Sequence, residues 1–127
     1  MCFVVIGNTA VRLVGGSSYV EGRVEILYNG VWGTVCSDGW NFINAIVTCR
    51  SLGFFTFYVT SSNYGPGIGP IWLDNVMCDG NEPSLARCSH LGVGIIEDCT
   101  HAKDVGLKCS GGESKYNVCN YLEHSCT

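Results

Sequence analysis

Nine cysteines in a chain of 127 residues constrain the fold more than any other feature of this sequence. Such a density is typical of oxidising compartments, where disulfides replace the core area that a short chain lacks. Zinc binding would need close pairs such as Cys-x-x-Cys, but the nearest two cysteines, Cys119 and Cys126, are seven positions apart. The spacing therefore favours a disulfide-bonded extracellular domain over a zinc site.

The length and charge of the chain limit the number of its domains and the classes of partner that it can bind. The chain is long enough for one domain with a modest core. A net charge of -4 with only seven Lys and Arg residues argues against nucleic acid or an acidic membrane surface as partner. Residues 1–7 lack the basic start of a signal peptide and are too few to insert into a membrane. We expect a secreted domain or ectodomain that is a piece of a longer protein.

Residues 22–53 contain the strongest local structural signals. The dipeptide Asn29-Gly30 lies between two apolar runs and predicts a β-hairpin, because both residues tolerate a positive φ. Asn41 is placed to cap a helix, and Gly53 is placed to end it. This segment is therefore predicted to form a hairpin followed by one helix, with a cysteine in each part.

The rest of the chain alternates short apolar runs with segments rich in glycine and proline. Strands are predicted at residues 10–14, 54–59, 71–77 and 104–109, and one or two helical turns at 82–88. Residues 60–70 are predicted to form a long loop, which is either a binding surface or a simple connection. The predicted domain is 10–110, preceded by a lead-in (1–9) and followed by a linker and cysteine-containing tail (111–127).

Four sequence motifs occur in a recognisable order. They are Gly-Arg-Val-Glu-Ile-Leu at 22–27, Trp-Gly-Thr-Val-Cys at 32–36, Cys-Arg-Ser-Leu-Gly at 49–53 and Ile-Trp-Leu-Asp-Asn-Val at 71–76. Together they resemble a scavenger receptor cysteine-rich (SRCR) domain over roughly 11–110. The resemblance implies an α+β fold, in which a curved, mostly antiparallel sheet cradles one main helix, with a second short helix and disulfide staples.

The resemblance also implies a disulfide pairing, which spacing alone leaves open because six cysteines permit many pairings. In the six-cysteine, group A form the pairs are Cys36 with Cys99, Cys49 with Cys109 and Cys78 with Cys88. The eight-cysteine form would need further cysteines where this chain has Val20 and Phe54. Of the remaining cysteines, Cys119 and Cys126 form a plausible pair, which leaves Cys2 free or bonded to something outside the chain.

Many SRCR domains bind calcium through acidic residues. The resemblance implies a ligand set of Asp38, Glu82 and, if the loops converge, Asp98. Calcium takes about six to eight oxygen ligands, several of them charged. In this chain Ser37 replaces one carboxylate, and the family's further acidic positions are occupied by Asn41 and Asn44. We therefore expect a weak calcium site or none. In the latter case the acidic residues serve turns and the solvated surface.

Arg23 is a second kind of candidate, because its counterpart in collagenous macrophage receptors lies in a basic ligand-binding patch. Arg12 and Arg50 would join such a patch only if the fold brings them to Arg23. The alternative is that the arginines are isolated and solvated. The aromatic residues Trp40 and Trp72 fall inside the framework motifs, and they are predicted to be core rather than a sugar-binding platform.

Catalysis is not indicated by the sequence. His90, His101 and His124 lie in polar segments without a Gly-x-Ser-x-Gly, His-Glu-x-x-His or phosphate-loop motif. We expect a domain without enzyme activity.

The resemblance implies an extracellular ligand-binding module of a scavenger-receptor-like surface or secreted protein. Its ligands would be proteins or polyanionic surfaces such as microbial polymers, with calcium assisting if its site works. The expected contact residues are Arg23, Asp38, Glu82 and Asp98. Two alternatives stay open at this point. One is a non-catalytic accessory domain of a secreted enzyme such as a serine protease or lysyl oxidase, and the other is a calcium-independent adhesion module.

Overall fold

A computed structural model describes residues 3–6, 9–54, 56–61 and 64–110 of the chain. The strands are β1 (Phe3–Ile6), β2 (Thr9–Gly15), β3 (Glu21–Tyr28), β4 (Val31–Val35), β5 (Thr56–Ser61), β6 (Ile71–Leu73) and β7 (Gly106–Ser110). The helical elements are α1 (Phe42–Ser51) and two 3₁₀ turns (Leu85–Arg87 and His101–Lys103). None of the helices in these ranges has both the length and the apolar composition needed to cross a bilayer.

The seven strands form one mixed sheet. Strands β1 to β4 are antiparallel neighbours in chain order, and β6 lies parallel beside β4. Strand β7 pairs antiparallel with both β3 and β5. The α+β fold with a mostly antiparallel sheet and one main helix is therefore confirmed.

The β3–β4 hairpin has the predicted turn. Asn29 and Gly30 have φ values of 52° and 76°, and the register places Tyr28 opposite Val31. Val24 and Ile26 are buried in the core, as the alternation predicts. Glu25 on the other face is also buried, although alternation alone would leave it in water. Its partners are the guanidinium groups of Arg12 and Arg23.

Helix α1 begins and ends as predicted. The side-chain oxygen of Asn41 accepts hydrogen bonds from the backbone N–H groups of Ile43 and Asn44, and Gly53 after the helix has a φ of 95°. Asn44 is fully buried, donates to the Val76 carbonyl at 2.7 Å and accepts from the Cys78 N–H at 3.0 Å. The two asparagines at the family's acidic positions therefore cap and brace the helix.

Disulfides join the helix and the loops to the sheet. The bonded pairs are Cys36–Cys99, Cys49–Cys109 and Cys78–Cys88, the same three that the resemblance implies. Cys49–Cys109 links α1 to β7 inside the core. Cys2, the proposed Cys119–Cys126 pair and the predicted tail at 111–127 lie outside the described residues.

The short elements differ from their predicted bounds. Strand β1 occupies the segment predicted as a lead-in, because its β-branched and aromatic residues extend the sheet beside β2. The strand predicted at 54–59 is found at 56–61, and the one predicted at 71–77 ends at Leu73. It ends there because Asn75, with a φ of 52°, leaves the extended conformation, and the N–H of Asn75 donates to Oδ1 of Asp74.

Candidate functional site

The four residues predicted to contact ligand have different neighbours in the structure. Asp38 follows β4, Glu82 lies in the turn after Cys78, and Asp98 precedes Cys99. Among the described residues, two groups contain three or more side chains whose possible metal-ligating atoms all lie within 4.8 Å of one another. Asp38 belongs to one group and Glu82 to the other, and Asp98 belongs to neither. The structure therefore does not bring Asp38, Glu82 and Asp98 together in one such group.

Asp38 forms an ion pair with Lys103, a residue that no sequence motif indicates as a partner. The Nζ atom of Lys103 lies 3.3 Å from Oδ1 and 3.5 Å from Oδ2 of Asp38. The backbone N–H of Ser37 also donates to the Lys103 carbonyl at 2.8 Å. The Asp38 carboxylate thus already has a cation, and that cation belongs to the chain itself.

A buried carboxylate, Asp74, lies beside Asp38, within 4.8 Å between ligating atoms. Its Oδ1 accepts from the N–H of Asn75 and its Oδ2 from the N–H of Glu97. The other two members of the group, Cys36 and Cys99, are bonded to each other and cannot act as thiolate ligands.

Glu82 stabilises its own turn. Its carboxylate accepts from the N–H of Asp79 at 2.8 Å and from that of Gly80 at 3.0 Å. The Asp79 N–H is the main cause that lowers the pKa of Glu82 below its ordinary value. Arg50 donates to the Glu82 carbonyl at 2.7 Å, so this arginine holds the same turn instead of joining Arg23.

These residues do not fit a calcium ion. The Asp38 carboxylate is engaged by Lys103, and Asp74 is committed to two backbone donors. Asp98 is exposed, with a positive φ of 51°, and lies in neither ligand group. Too few charged oxygens converge to replace the ion's hydration shell.

Arg23 is part of a largely buried ion-pair network. Its Nε and Nη2 atoms lie 3.0 Å and 2.9 Å from Oε2 of Glu25. Arg12 contacts Oε1 of the same glutamate from β2, at 2.9 Å through Nε and 2.6 Å through Nη2, and its guanidinium lies 3.9 Å from the Trp32 ring centroid. The side chains of Arg12, Arg23 and Glu25 are 17%, 13% and 6% exposed. The fold therefore does bring Arg12 to Arg23, but around a shared carboxylate rather than as an open basic patch.

The same arginine holds a loop that follows β5. Nη1 of Arg23 donates to the carbonyls of Tyr64 and Gly65, both at 3.2 Å. The Tyr64 hydroxyl donates to Oε1 of Glu21 at 3.2 Å. The structure describes residues 64–70 of the long loop predicted from the sequence, and we call them the 64–70 loop.

Two further side chains fix the middle of the 64–70 loop. The buried carboxylate of Asp104 accepts from the N–H of Gly67 at 2.7 Å, and Nε2 of His101 lies 2.8 Å from the Gly69 carbonyl. A side chain at position 67 could not be accommodated, because its Cβ would collide with Cγ2 of Thr34. The backbone of the loop is therefore held close to the sheet.

The tip of the 64–70 loop points away from these anchors. Ile68 is 93% exposed, although its neighbour Gly67 is buried. A large apolar side chain with this exposure contributes nothing to the core. It is available for contact with another molecule.

A second apolar surface surrounds Trp72. Its indole N–H donates to the Val31 carbonyl at 2.9 Å, and its ring meets that of Tyr28 edge-on at 5.3 Å between centroids. Tyr28 and Val31 are about half exposed. Trp40 and Trp72 both pack against the core cluster while remaining partly accessible, so the predicted core role is only part of what Trp72 does.

Both described histidines bind neighbouring backbone. Nδ1 of His90 accepts from the Gly92 N–H at 3.0 Å. His101 has an acceptor at each ring nitrogen, namely the Asp104 carboxylate at Nδ1 (2.8 Å) and the Gly69 carbonyl at Nε2. Only the imidazolium can donate to both.

The pKa of His101 lies above its ordinary value. Burial, the largest single influence, would lower this pKa, and so would the charge of Arg23. The Gly69 carbonyl and the Asp104 carboxylate outweigh them, because both stabilise the protonated ring.

We expect the domain to lose a small amount of stability as the pH rises above about 6.5. The folded pKa of His101 is raised, so its contribution is complete below the unfolded pKa and disappears as the pH passes the folded pKa. The loss should stay below about 1 kcal/mol, because the ring is partly solvated. Urea unfolding of the wild type and of His101→Gln between about pH 5.5 and 8.5 measures it. Equal pH slopes in the two proteins would contradict the assignment.

Comparison with known proteins gives the family. A model of the scavenger receptor cysteine-rich domain matches residues 14–110. The chain is 54% identical over 101 residues to galectin-3-binding protein of Rattus norvegicus, covering 78% of this chain and 17% of that protein. It is 50% identical over 108 residues to lysyl oxidase homolog 4 of Bos taurus, covering 83% and 14%. The chain thus spans less than a fifth of the length of either curated relative.

Solved structures agree with this relationship. The third SRCR domain of murine neurotrypsin superimposes with a TM-score of 0.68 at 44% identity, covering 81% of this chain and 97% of that one. The dimeric form of the SRCR domain of mouse MARCO gives 0.65 at 46% identity, covering 79% and 94%. With a family match over most of the chain and two close structural neighbours, the protein belongs to the scavenger receptor cysteine-rich domain family.

Proposed function

We propose that this SRCR domain is a non-catalytic recognition module of an extracellular protein, and that it binds protein partners through a surface centred on the 64–70 loop. One observation carries the proposal. The loop is tied by Arg23, His101 and Asp104, yet it presents Ile68 almost completely to solvent. An extracellular setting is supported by the three disulfides and by the family.

The anchoring of the loop favours binding for an energetic reason. A free loop loses conformational entropy when a partner orders it, and that cost is subtracted from the affinity. Here the hydrogen bonds to Tyr64, Gly67 and Gly69 order the backbone before any partner arrives. An exposed apolar side chain on such a loop can enter a partner's pocket at a low entropic cost.

Polyanionic ligands receive less support from the side chains. Arg12 and Arg23 share Glu25, and Lys103 is paired with Asp38. A polyanion would have to compete with these carboxylates at each position. Assistance by calcium stays a prediction that the residues around Asp38 do not favour, since they already hold an ammonium group there.

Binding of galectin-3 is the first test, because the name of the rat relative says that that protein binds galectin-3. The 127-residue chain is immobilised and challenged with galectin-3, with a panel of purified extracellular proteins and with heparin as polyanion, in EDTA. We expect at least one protein to bind the wild type and to lose about tenfold in affinity to Ile68→Ser, as for a central interface contact. Met77→Ser, which removes another exposed apolar side chain, is the matched control.

Two outcomes would contradict the proposal. In the first, every bound protein tolerates Ile68→Ser as well as it tolerates Met77→Ser. In the second, only heparin binds, with an affinity that falls steeply as salt is raised, which is the behaviour of a polyanion receptor.

A second candidate is a non-catalytic accessory domain of a secreted enzyme. The observation in its favour is the match to lysyl oxidase homolog 4, of which a segment like this one is only 14%. Sequencing the transcript on both sides of these 127 residues distinguishes the candidates. A catalytic domain in the same open reading frame favours the accessory role, whereas a collagenous or membrane-spanning segment favours a receptor.

A further inference from the structure

The cluster around Asp38 departs from the calcium site that the family resemblance implies. Two carboxylates from separate segments, Asp38 and Asp74, lie within 4.8 Å of each other beside the Cys36–Cys99 disulfide. Carboxylates so close repel each other unless a positive charge lies between or beside them. In many proteins a divalent cation supplies that charge.

In this chain the positive charge is an ammonium group. Nζ of Lys103 lies within 3.5 Å of both oxygens of Asp38. Lys103 ends a 3₁₀ turn in which the Thr100 hydroxyl accepts from the Ala102 N–H, and the Ser37 N–H donates to the Lys103 carbonyl at 2.8 Å. The backbone is therefore positioned so that the lysine side chain reaches the carboxylate.

We propose that the ammonium of Lys103 takes the place of a divalent cation beside the Asp38–Asp74 pair, so that this part of the domain is held without calcium. An ammonium and a calcium ion repel each other and would compete for the same oxygens of Asp38. The intramolecular group has the advantage, because it is already at the site at every calcium concentration.

The geometry of this part of the domain should therefore not depend on the calcium concentration of the surroundings. Glu97, which donates its N–H to Asp74, belongs to the segment that leads to Cys99. In a calcium-dependent domain this segment would be ordered by the ion. Here it is held by Asp74 and the Cys36–Cys99 disulfide, while Lys103 supplies the positive charge beside Asp38, independently of whether the 64–70 loop binds protein.

The test is a calcium titration of the whole chain with charge variants of Lys103. Calorimetry and thermal unfolding are recorded up to about 10 mM CaCl₂, tenfold above the weakest Kd typical of extracellular modules, about 1 mM. We expect the wild type to show no saturable calcium binding at Asp38, that is, no binding that is lost in Asp38→Asn. For Lys103→Glu, which removes the ammonium and adds a third carboxylate, calcium should raise the melting temperature by about 5 °C or more.

Controls keep each outcome decisive. Arg87→Glu makes the same charge change at another exposed 3₁₀ turn, and it should respond to calcium no more than the wild type. Should Lys103→Glu not fold, Lys103→Gln decides, because it removes the competing charge without adding another. Saturable calcium binding by the wild type that disappears in Asp38→Asn overturns the proposal. So does a calcium response in the Lys103 variants no larger than in the wild type.

Discussion

Replacing Cys49 and Cys109 together by alanine is expected to lower the free energy of unfolding by about 4 kcal/mol. The bond closes a loop with a sequence separation of 60, and in the chain-entropy model a loop of this length restricts the unfolded chain strongly. Both residues also belong to the buried core cluster, where the bond fixes α1 against β7. A small domain has only about 5–15 kcal/mol in total, so a loss of about 4 kcal/mol removes a large part of its stability and should lower its melting temperature markedly.

The double variant Cys78→Ala/Cys88→Ala is the matched control. Its bond spans a separation of only 10, for which the same model gives about 3 kcal/mol. Urea unfolding followed by tryptophan fluorescence measures both variants, and alanine in place of each pair leaves no unpaired thiol from that bond. A larger loss for the short loop than for the long one would show that chain entropy does not govern the stability of this domain.

The parts of the fold that the sequence predicts correctly are those encoded by adjacent residues. The hairpin turn needs only Asn29 and Gly30, and the start of the helix needs only Asn41 and the N–H groups that follow it. Their geometry depends on local dihedral angles and capping bonds, which propensity rules describe well. The strand within residues 1–9 is not indicated locally, because a strand such as β1 is stabilised by its neighbour β2, which is a tertiary interaction.

The candidate site could be predicted only in part, because its contacts join distant segments. Lys103 and Asp38 are 65 positions apart, and Asp104 and Gly67 are 37 apart. Nothing in the local sequence of either partner indicates the other. One available signal was that Asp74 follows an apolar run, since a charged residue at the buried end of a strand needs a partner.

Arg23 illustrates the same limit. As a charged residue on a strand it was a reasonable candidate for ligand contact, and the sequence places Glu25 two positions further along the same face. Only the pairing of β2 with β3 brings Arg12 opposite Glu25, so that one carboxylate serves two guanidinium groups. In the structure Arg23 holds the 64–70 loop, and its contact with a ligand stays a prediction.

Glu25→Gln is therefore expected to destabilise the domain by about 3 kcal/mol, because it leaves Arg12 and Arg23 largely buried without a negative charge. The substitution keeps the shape of the side chain, so packing changes little. The repelled guanidinium of Arg23 should also release the Tyr64 carbonyl and loosen the 64–70 loop. Urea unfolding gives the stability, and hydrogen exchange at the Gly67 N–H, which Asp104 protects, reports the loop.

The neutralisation of an exposed carboxylate, Glu97→Gln, is the control, and it should cost less than about 0.5 kcal/mol. Adding Arg12→Met to Glu25→Gln should recover part of the loss, because one of the two unpaired charges is then removed and replaced by an apolar side chain that can pack on the Trp32 ring. If Glu25→Gln were as mild as Glu97→Gln, the network would be a solvated surface pair. Faster exchange at Gly67 in Glu25→Gln, accompanied by weaker binding of a partner that depends on Ile68, would connect the buried ion pair directly to recognition.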